Sequence, residues 1–464
     1  MRKLIAIISA VVLALALAGI FFLLRSRIFK EPTPSAPPLI QETPPVENLT
    51  YEEYLNKGAY YFENGFYTYA ANEYVRATKL EPKRIEAYLK LMRADLELGS
   101  FDAVKSNGDT ALSLDPSNVE ARTLMAISLI KQNDFEEART AFAAFSDAEA
   151  NATVRYYRIL LDILNDSKSG ESSLKQLRGT GADSALNQKI DKLLIGYTEF
   201  NSAQAAEPVY LDELMARGFS QTGEYEMAIQ KVKAVLKSRL NLRDAWIILG
   251  YSYLNLGKYT FALTAFQKAY ELDSTWPTTQ YFLGTTFQEL NKPEDAIVYY
   301  QYAINNGFEP MALAKRDLAD LYFKIQKYPE AVKLYQDAII LNQQDVNAFV
   351  RPVWLYIDFL NNPKEANKLA LLALQLFPNE ALSYNLLGWS EAALGNSIAA
   401  ETHLKKALEL NPKMAAAYFN LGKIYEGNKR VPEAIEMYQK AYQNDSGGSF
   451  GTLAAERYNI LLQN

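Results

Sequence analysis

One small residue returns along this chain at a nearly constant interval. Ala70, Val104 and Ala138 are followed, after a break, by Ala228, Ala262, Ala296, Ala331, Ala366, Ala400 and Ala434, at steps of 34, 34, 90, 34, 34, 35, 35, 34 and 34. A single compact core imposes no such ruler, whereas a stack of like units does, because each unit meets its neighbours in the same way. The length points the same way, since 464 residues exceed what one core usually organises.

Within a unit the spacing is just as regular. In "WIILGYSY" Trp246, Leu249, Gly250 and Tyr253 are followed by Ala262 and Phe266, which reads W-x2-L-G-x2-Y and then A-x3-F. This resembles the tetratricopeptide repeat family. The family's closing proline is Ser274 here, but Pro82, Pro116, Pro378 and Pro412 stand at that place in other units.

The resemblance implies an all-α fold, a right-handed superhelical solenoid of antiparallel helix pairs, with Leu249, Gly250 and Ala262 compact where helices approach and Tyr253 and Phe266 filling the gap to the next unit. Ten units are expected, beginning near Tyr51, Ile85, Val119, Val209, Arg243, Pro277, Ala312, Asn347, Ala381 and Ala415. They form a block of three repeats over 51–152 and a block of seven over 209–448. Gly65, Gly99, Gly223, Gly257 and Gly395 stand where a first helix stops and the chain turns. Most of the 31 tyrosines read as packing residues.

The step of 90 equals 34 + 56 and leaves residues 153–208 as an irregular helical insert. "VRYYRILLDILND" reads as a helix, "SKSGESSLKQLRGTGAD" as a polar excursion and "SALNQKIDKLLIGYTEF" as a long second helix. The insert is a tolerated loop, a hinge or a docking surface between the two blocks. At the end, residues 449–464 read as a capping helix, with Phe450, Leu453, Ala454, Tyr458, Leu461 and Leu462 on one face.

Ahead of the array lies a different kind of sequence. Leu4 to Leu24 is 21 residues without a charge, about 31 Å as a helix, close to the thickness of a bilayer core. Residues 1–30 are therefore read as an N-terminal transmembrane anchor. Cleavage after Ala16-Leu17-Ala18 is the rival reading, but it would leave "GIFFLLRSR" at the new terminus. Residues 31–50 form a proline-rich linker, with six prolines in "EPTPSAPPLIQETPPVE". Arg2 and Lys3 nearly balance Arg25, Arg27 and Lys30 across the span, and the secretory arrangement of the start favours a body outside the cytoplasm, periplasmic or external.

Composition narrows the chemistry. Net charge is −6, and residues 1–31 carry +4, so the rest carries −10, a poor match for nucleic acid. With no cysteine there is no disulfide, thiolate metal site or cysteine nucleophile. "GGSFG" formally matches a nucleophile elbow at Ser449, yet it falls between two helices, and the one histidine, His403, lies in a second helix of a repeat. No catalytic residue, cofactor or metal is expected. The reading is a protein-binding scaffold, with a structural spacer in an envelope complex and, more remotely, an enzyme embedded in the repeats as alternatives.

In solenoids of the family that this chain resembles, partners lie along the first helices, at the fifth and ninth places of each unit. The resemblance thus marks Arg217, Tyr251, Tyr281, Arg316, Arg351, Asn385, Trp389, Phe419 and Lys423 as candidates for a peptide-binding groove. Arg316, Arg351 and Asn385 are neighbours in one row, forked donors beside aromatic faces that suit a peptide carboxylate. The lysine and asparagine clamp of the family is absent. Pro352 is expected to turn Arg351 away from helical angles. Otherwise Arg316 pairs with Asp320 and Arg351 with Asp358.

The anchor has a direct check. Full-length protein is expected in membranes after carbonate or high-salt extraction, and a soluble product beginning at Gly19 would show a cleaved signal instead.

Overall fold

The computed structural model describes residues 49–180, 182–203, 206–445 and 448–463, and among these every regular element is helical. The apolar run Leu4 to Leu24 and the proline-rich stretch lie outside the described residues. Among those described, no helix is long and apolar enough to cross a membrane.

Two compact units divide between Ser274 and Thr275. The first contains α1 (Tyr51–Glu63), α2 (Tyr67–Leu80), α3 (Ile85–Leu98), α4 (Phe101–Leu114), α5 (Val119–Gln132), α6 (Phe135–Ala143), α7 (Ala152–Asn165), α8 (Glu171–Gly179), α9 (Ser184–Ser202), α10 (Pro208–Thr222), α11 (Tyr225–Ser238), α12 (Arg243–Asn255) and α13 (Tyr259–Leu272). The second contains α14 (Pro277–Glu289), α15 (Pro293–Asn305), α16 (Met311–Lys324), α17 (Tyr328–Leu341), α18 (Val350–Trp354), α19 (Pro363–Leu376), α20 (Ala381–Ala393), α21 (Ser397–Leu410), α22 (Ala415–Gly427), α23 (Val431–Asn444) and α24 (Ser449–Gln463). The hairpins of each unit stack in chain order.

Each hairpin is made the same way. The first helix ends at one residue with positive φ: Gly65, Gly99, Asn133, Gly223, Gly257, Asn291, Gln326, Asn361, Gly395 or Lys429. Glycine takes that conformation without a Cβ clash, and asparagine tolerates it better than most side chains. Five residues later comes the ruler residue of the second helix, and all ten of these, Ala70 to Ala434, are fully buried. Glycine in the first helix admits a large side chain from the second. A Cβ at Gly250 would lie 2.7 Å from the Phe266 ring, and one at Gly422 would lie 2.6 Å from the Tyr438 ring. Phe266, expected to fill the gap to the next unit, packs over Gly250 inside its own hairpin.

Residues 153–208 are neither a loose loop nor a polar excursion. α8 forms inside the stretch read as polar, because Leu174 and Leu177, one turn apart, are both buried. A continuous core runs from Ala138 and Phe142 through Val154, Leu160, Leu174 and Tyr197 to Met215 and Phe219. Ion pairs lock the same junction. The buried Lys231 ammonium donates to the last carbonyls of α7, Ile163 at 3.0 Å and Leu164 at 3.3 Å, and pairs with Asp212 at 2.8 Å. Glu224, equally buried, accepts from Lys189 at 3.1 Å and from the Tyr157 hydroxyl at 3.4 Å. With apolar and ionic contacts on both flanks, the insert packs against the repeat hairpins that precede and follow it, all within the first unit.

Pro352 leaves a local mark. Without an N–H it cannot continue the helical ladder, so a 3-10 turn, Val346–Phe349, precedes α18 and a π turn, Leu355–Phe359, follows it. Arg351 itself stays helical. At the end of the second unit α24 packs over α22 and α23 through Ala454, Tyr458 and Leu461. Phe450, Leu453 and Leu462, expected on the same buried face, are exposed.

The Gly250 and Phe266 contact is testable. Gly250→Ala forces a methyl group into the ring and is expected to cost about 1–3 kcal/mol in denaturant unfolding. Phe266→Leu in that background should cost less than it does alone, and additive losses would mean that the ring does not press on Gly250.

Candidate peptide-binding groove

In the first unit the row of candidate positions is already filled. Arg217 on α10 is buried and ion-paired with Glu199, which α9 carries across from the insert. The Tyr210 hydroxyl donates to the same carboxylate at 2.6 Å. On α12, Ile247 and Tyr251 are fully buried, with the Tyr251 ring edge-on to Tyr225 at 6.3 Å. A hydroxyl pair, Ser220 with Ser252 at 3.2 Å, ties α10 to α12. Arg217 and Tyr251 therefore offer no open surface, because a helix from the insert crosses the first and neighbouring rings enclose the second.

Glu213, at the fifth place of the α10 unit, sits among charges. Burial, reinforced by repulsion from Asp244, pushes its carboxyl up to about 7, against the pull of Arg217. Arg243 is committed to Asp244 at 2.8 Å and to Asp273 at 2.9 Å.

The second unit is more open, though not at every expected position. Tyr281 on α14 is fully buried, stacked on Phe308 at 4.1 Å, and its hydroxyl donates to the buried Asp317 carboxylate at 2.6 Å. Asn385 on α20 is also buried, and accepts from the Asn420 side chain at 3.1 Å. Trp389 is half-buried in the core beneath α20. Phe419 lies between Tyr438 at 5.7 Å and Phe450 of the terminal helix at 5.9 Å, and the exposed Lys423 lies 6.0 Å from the Phe419 ring. These two line a shallow cleft with Glu426 and Arg457, which bond each other.

Arg316 and Arg351 remain at the surface, with side chains 30% and 40% exposed. Their ionic partners differ from those expected. Arg316 approaches its neighbour Asp317 at 3.9 Å, while Arg351 reaches from α18 to Asp320 on α16 at 3.7 Å and lies 5.8 Å over the Phe323 ring. Asp320 also accepts from the Tyr335 hydroxyl, which draws it toward α17. Asp358, on the π turn, is exposed. Phe323 belongs to a ring cluster with Trp354 at 5.2 Å and Phe359 at 5.9 Å. The sequence reading missed Glu199, Asp317, Asn420 and this cluster. Asp317 and Asn420 carried one signal in common, as polar residues at the sixth place of their units.

His403 is hydrogen-bonded to Glu391 at 2.7 Å, and Ser449 is the first residue of α24. Among the described residues no group of three or more His, Cys, Asp or Glu is placed to hold a metal ion.

Glu213 makes a pH signature. Its folded pKa lies above the ordinary carboxylate value, so the folded state binds the extra proton and stability falls as pH rises from about 4.5 to about 7. Glu213→Gln mimics the protonated form. The variant should match wild type in acid and gain up to about 3 kcal/mol over it above neutral pH. Parallel unfolding curves at all pH values would contradict the charged environment.

The tetratricopeptide repeat family model matches residues 243–276, 281–346 and 385–449. A TPR repeat-containing protein of Methanocaldococcus jannaschii is 21% identical over 435 residues, covering 84% of this chain and 75% of its own length. Hsp70-Hsp90 organizing protein 3 of Arabidopsis thaliana is 24% identical over 239 residues, covering 49% of this chain and 35% of its own. The chain thus spans about a third of that second relative. Among solved structures, the Cut9-Hcn1 hetero-tetramer of the APC/C aligns with 88% of this chain and 96% of its own at 15% identity and a TM-score of 0.37. Hairpins of this build at the residues that the family models match show that the chain carries tetratricopeptide repeats there.

Proposed function

We propose that this chain is a membrane-anchored scaffold that holds a partner protein through the second unit, with Arg316 and Arg351 receiving a carboxylate of an extended peptide. Tetratricopeptide repeats mediate protein–protein interactions. The observation that carries the reading is the surviving exposure of these two guanidinium groups on consecutive first helices, Arg351 over the Phe323 ring, where Arg217, Tyr251, Tyr281 and Asn385 are buried. A guanidinium beside an aromatic face binds a carboxylate through forked donors and an adjacent apolar side chain through the ring. Lys423 and Phe419 form a second, weaker contact point near α24. The apolar segment Leu4 to Leu24 holds the body at a membrane, on the extracytoplasmic side, in envelope assembly or secretion. No catalytic role is assigned to any residue.

A spacer role is favoured for the α10 and α12 hairpins by one observation: Arg217, Ile247 and Tyr251, on their first helices, are all buried. Such a row positions neighbouring elements rather than a client.

The test uses displayed peptides with either a free or an amidated C-terminus. Wild-type protein should enrich the free carboxylates. Arg316→Ala with Arg351→Ala, folded by circular dichroism, should lose about tenfold or more, since a hydrogen bond to a charged group contributes about 1.5–3 kcal/mol and these are partly solvated. Equal enrichment of amidated peptides, or an unaffected double variant, removes the site.

A further inference from the structure

The ends of the array are finished differently. In the second unit α24 covers the last hairpin, with Ala454 fully buried against it. The first hairpin, α1 and α2, has an aromatic face at the surface instead. Its buried stripe runs through Tyr51, Leu55 and Gly58 on α1 and Ala70, Tyr74 and Ala77 on α2. Tyr54 and Tyr61, seven residues apart, share another face of α1. Tyr69, Arg76 and Leu80, at steps of seven and four, share another face of α2. The two faces meet. Tyr61 lies 5.5 Å from Tyr69 at one end of the hairpin, with Phe66 against both, and Tyr54 joins Arg76, Lys79 and Leu80 in an open cleft at the other. Tyr69 is 56% exposed, Leu80 52% and Phe66 42%, so the strip is apolar surface in water.

We propose that this face of the first hairpin lies against the lipid interface of the membrane that Leu4 to Leu24 enters. The inference rests on the anchor reading given above. Three observations choose lipid over another occupant. Leu49 and Thr50, where the chain enters α1, line the cleft, so the strip is the part of the body next to the tether. The 26 residues between Leu24 and Tyr51 reach at most about 90 Å, which confines the hairpin near the membrane and raises its effective concentration there. The chemistry also fits. Tyrosine is the side chain of membrane–water interfaces, with its ring in the apolar zone and its hydroxyl wet, while Arg76 and Lys79 can lay their alkyl stems on the surface and keep their charges in water. Residues 51–80 hold four carboxylates and three cations, so attraction to anionic headgroups contributes little and the aromatic contacts carry the docking.

Because the chain has no cysteine, single-cysteine labels report position directly. Full-length protein is reconstituted in phosphatidylcholine vesicles containing a lipid with a quencher near its headgroup, with a fluorophore at Thr68→Cys, at Gly19→Cys in the apolar segment or at Leu240→Cys on another exposed surface of the first unit. Quenching is expected at 19 and at 68, several-fold above that at 240, and insensitive to high salt. Tyr61→Ser with Phe66→Ser and Tyr69→Ser, its helicity checked by circular dichroism, should lose the quenching at 68 and keep that at 19. Quenching at 19 alone would overturn the inference and leave the anchor standing. Absence of quenching at 19 would overturn the anchor and the inference together. Equal quenching at 68 and 240 would mean contact without a docking face, and shielding at 68 that rises with protein concentration but not with quencher would assign the face to a second copy.

Discussion

The rest of this structure depends on how closely two helices approach within a hairpin. Where the first helix presents Gly250 there is no Cβ, and the Phe266 ring of the second helix, one turn after the fully buried Ala262, occupies the space glycine leaves. Interiors packed to crystal density give such a contact no slack. Every other regularity follows from it: the turn must fall at a fixed distance before the close approach, so a left-handed residue precedes each ruler residue by five positions. Hairpins built to one geometry then stack in one way, each burying the face that a single pair would leave in water.

The departures are equally physical. In the first unit an insert of three helices joins the stack through a shared apolar core and through charges that are buried only because they are paired, Lys231 with Asp212 and Glu224 with Lys189. Removing one partner of such a pair leaves the other uncompensated, which gives the junction a definite register. In the second unit Pro352 interrupts a first helix, with a 3-10 turn before it and a π turn after it. That rearrangement sets Trp354 and Phe359 against Phe323 and leaves Arg351 reaching α16. A helix defect thereby shapes the surface proposed to meet a partner.

The candidate site was legible in the sequence only as a row of positions. The repeat register located Arg316 and Arg351 on consecutive first helices, and both lie at the surface there. It ranked Tyr251, Tyr281 and Asn385 beside them, yet all three are buried. The register states which residues point inward; exposure depends on what else arrives there. Phe308, from the turn after α15, covers Tyr281, and Asn420 of a neighbouring helix takes up Asn385. Neither contact is local in sequence.

Taken alone, the sequence determined the helical hairpins and the turns at Gly65, Gly99, Gly223, Gly257 and Gly395, because a close helix approach demands small residues at a fixed spacing and glycine accepts positive φ; the turns at Asn133, Asn291, Gln326, Asn361 and Lys429 emerged only in the fold. It also determined an acidic body without thiol chemistry, by composition. Tertiary structure alone decided that the insert belongs to the first unit, that Arg217 is spent on Glu199, and that Arg351 answers to Asp320 rather than to Asp358. The reason is range. A spacing of 34 is written along the chain, whereas the partner of a charge or a ring is set by whichever distant segment the packed helices bring within a few ångströms of it.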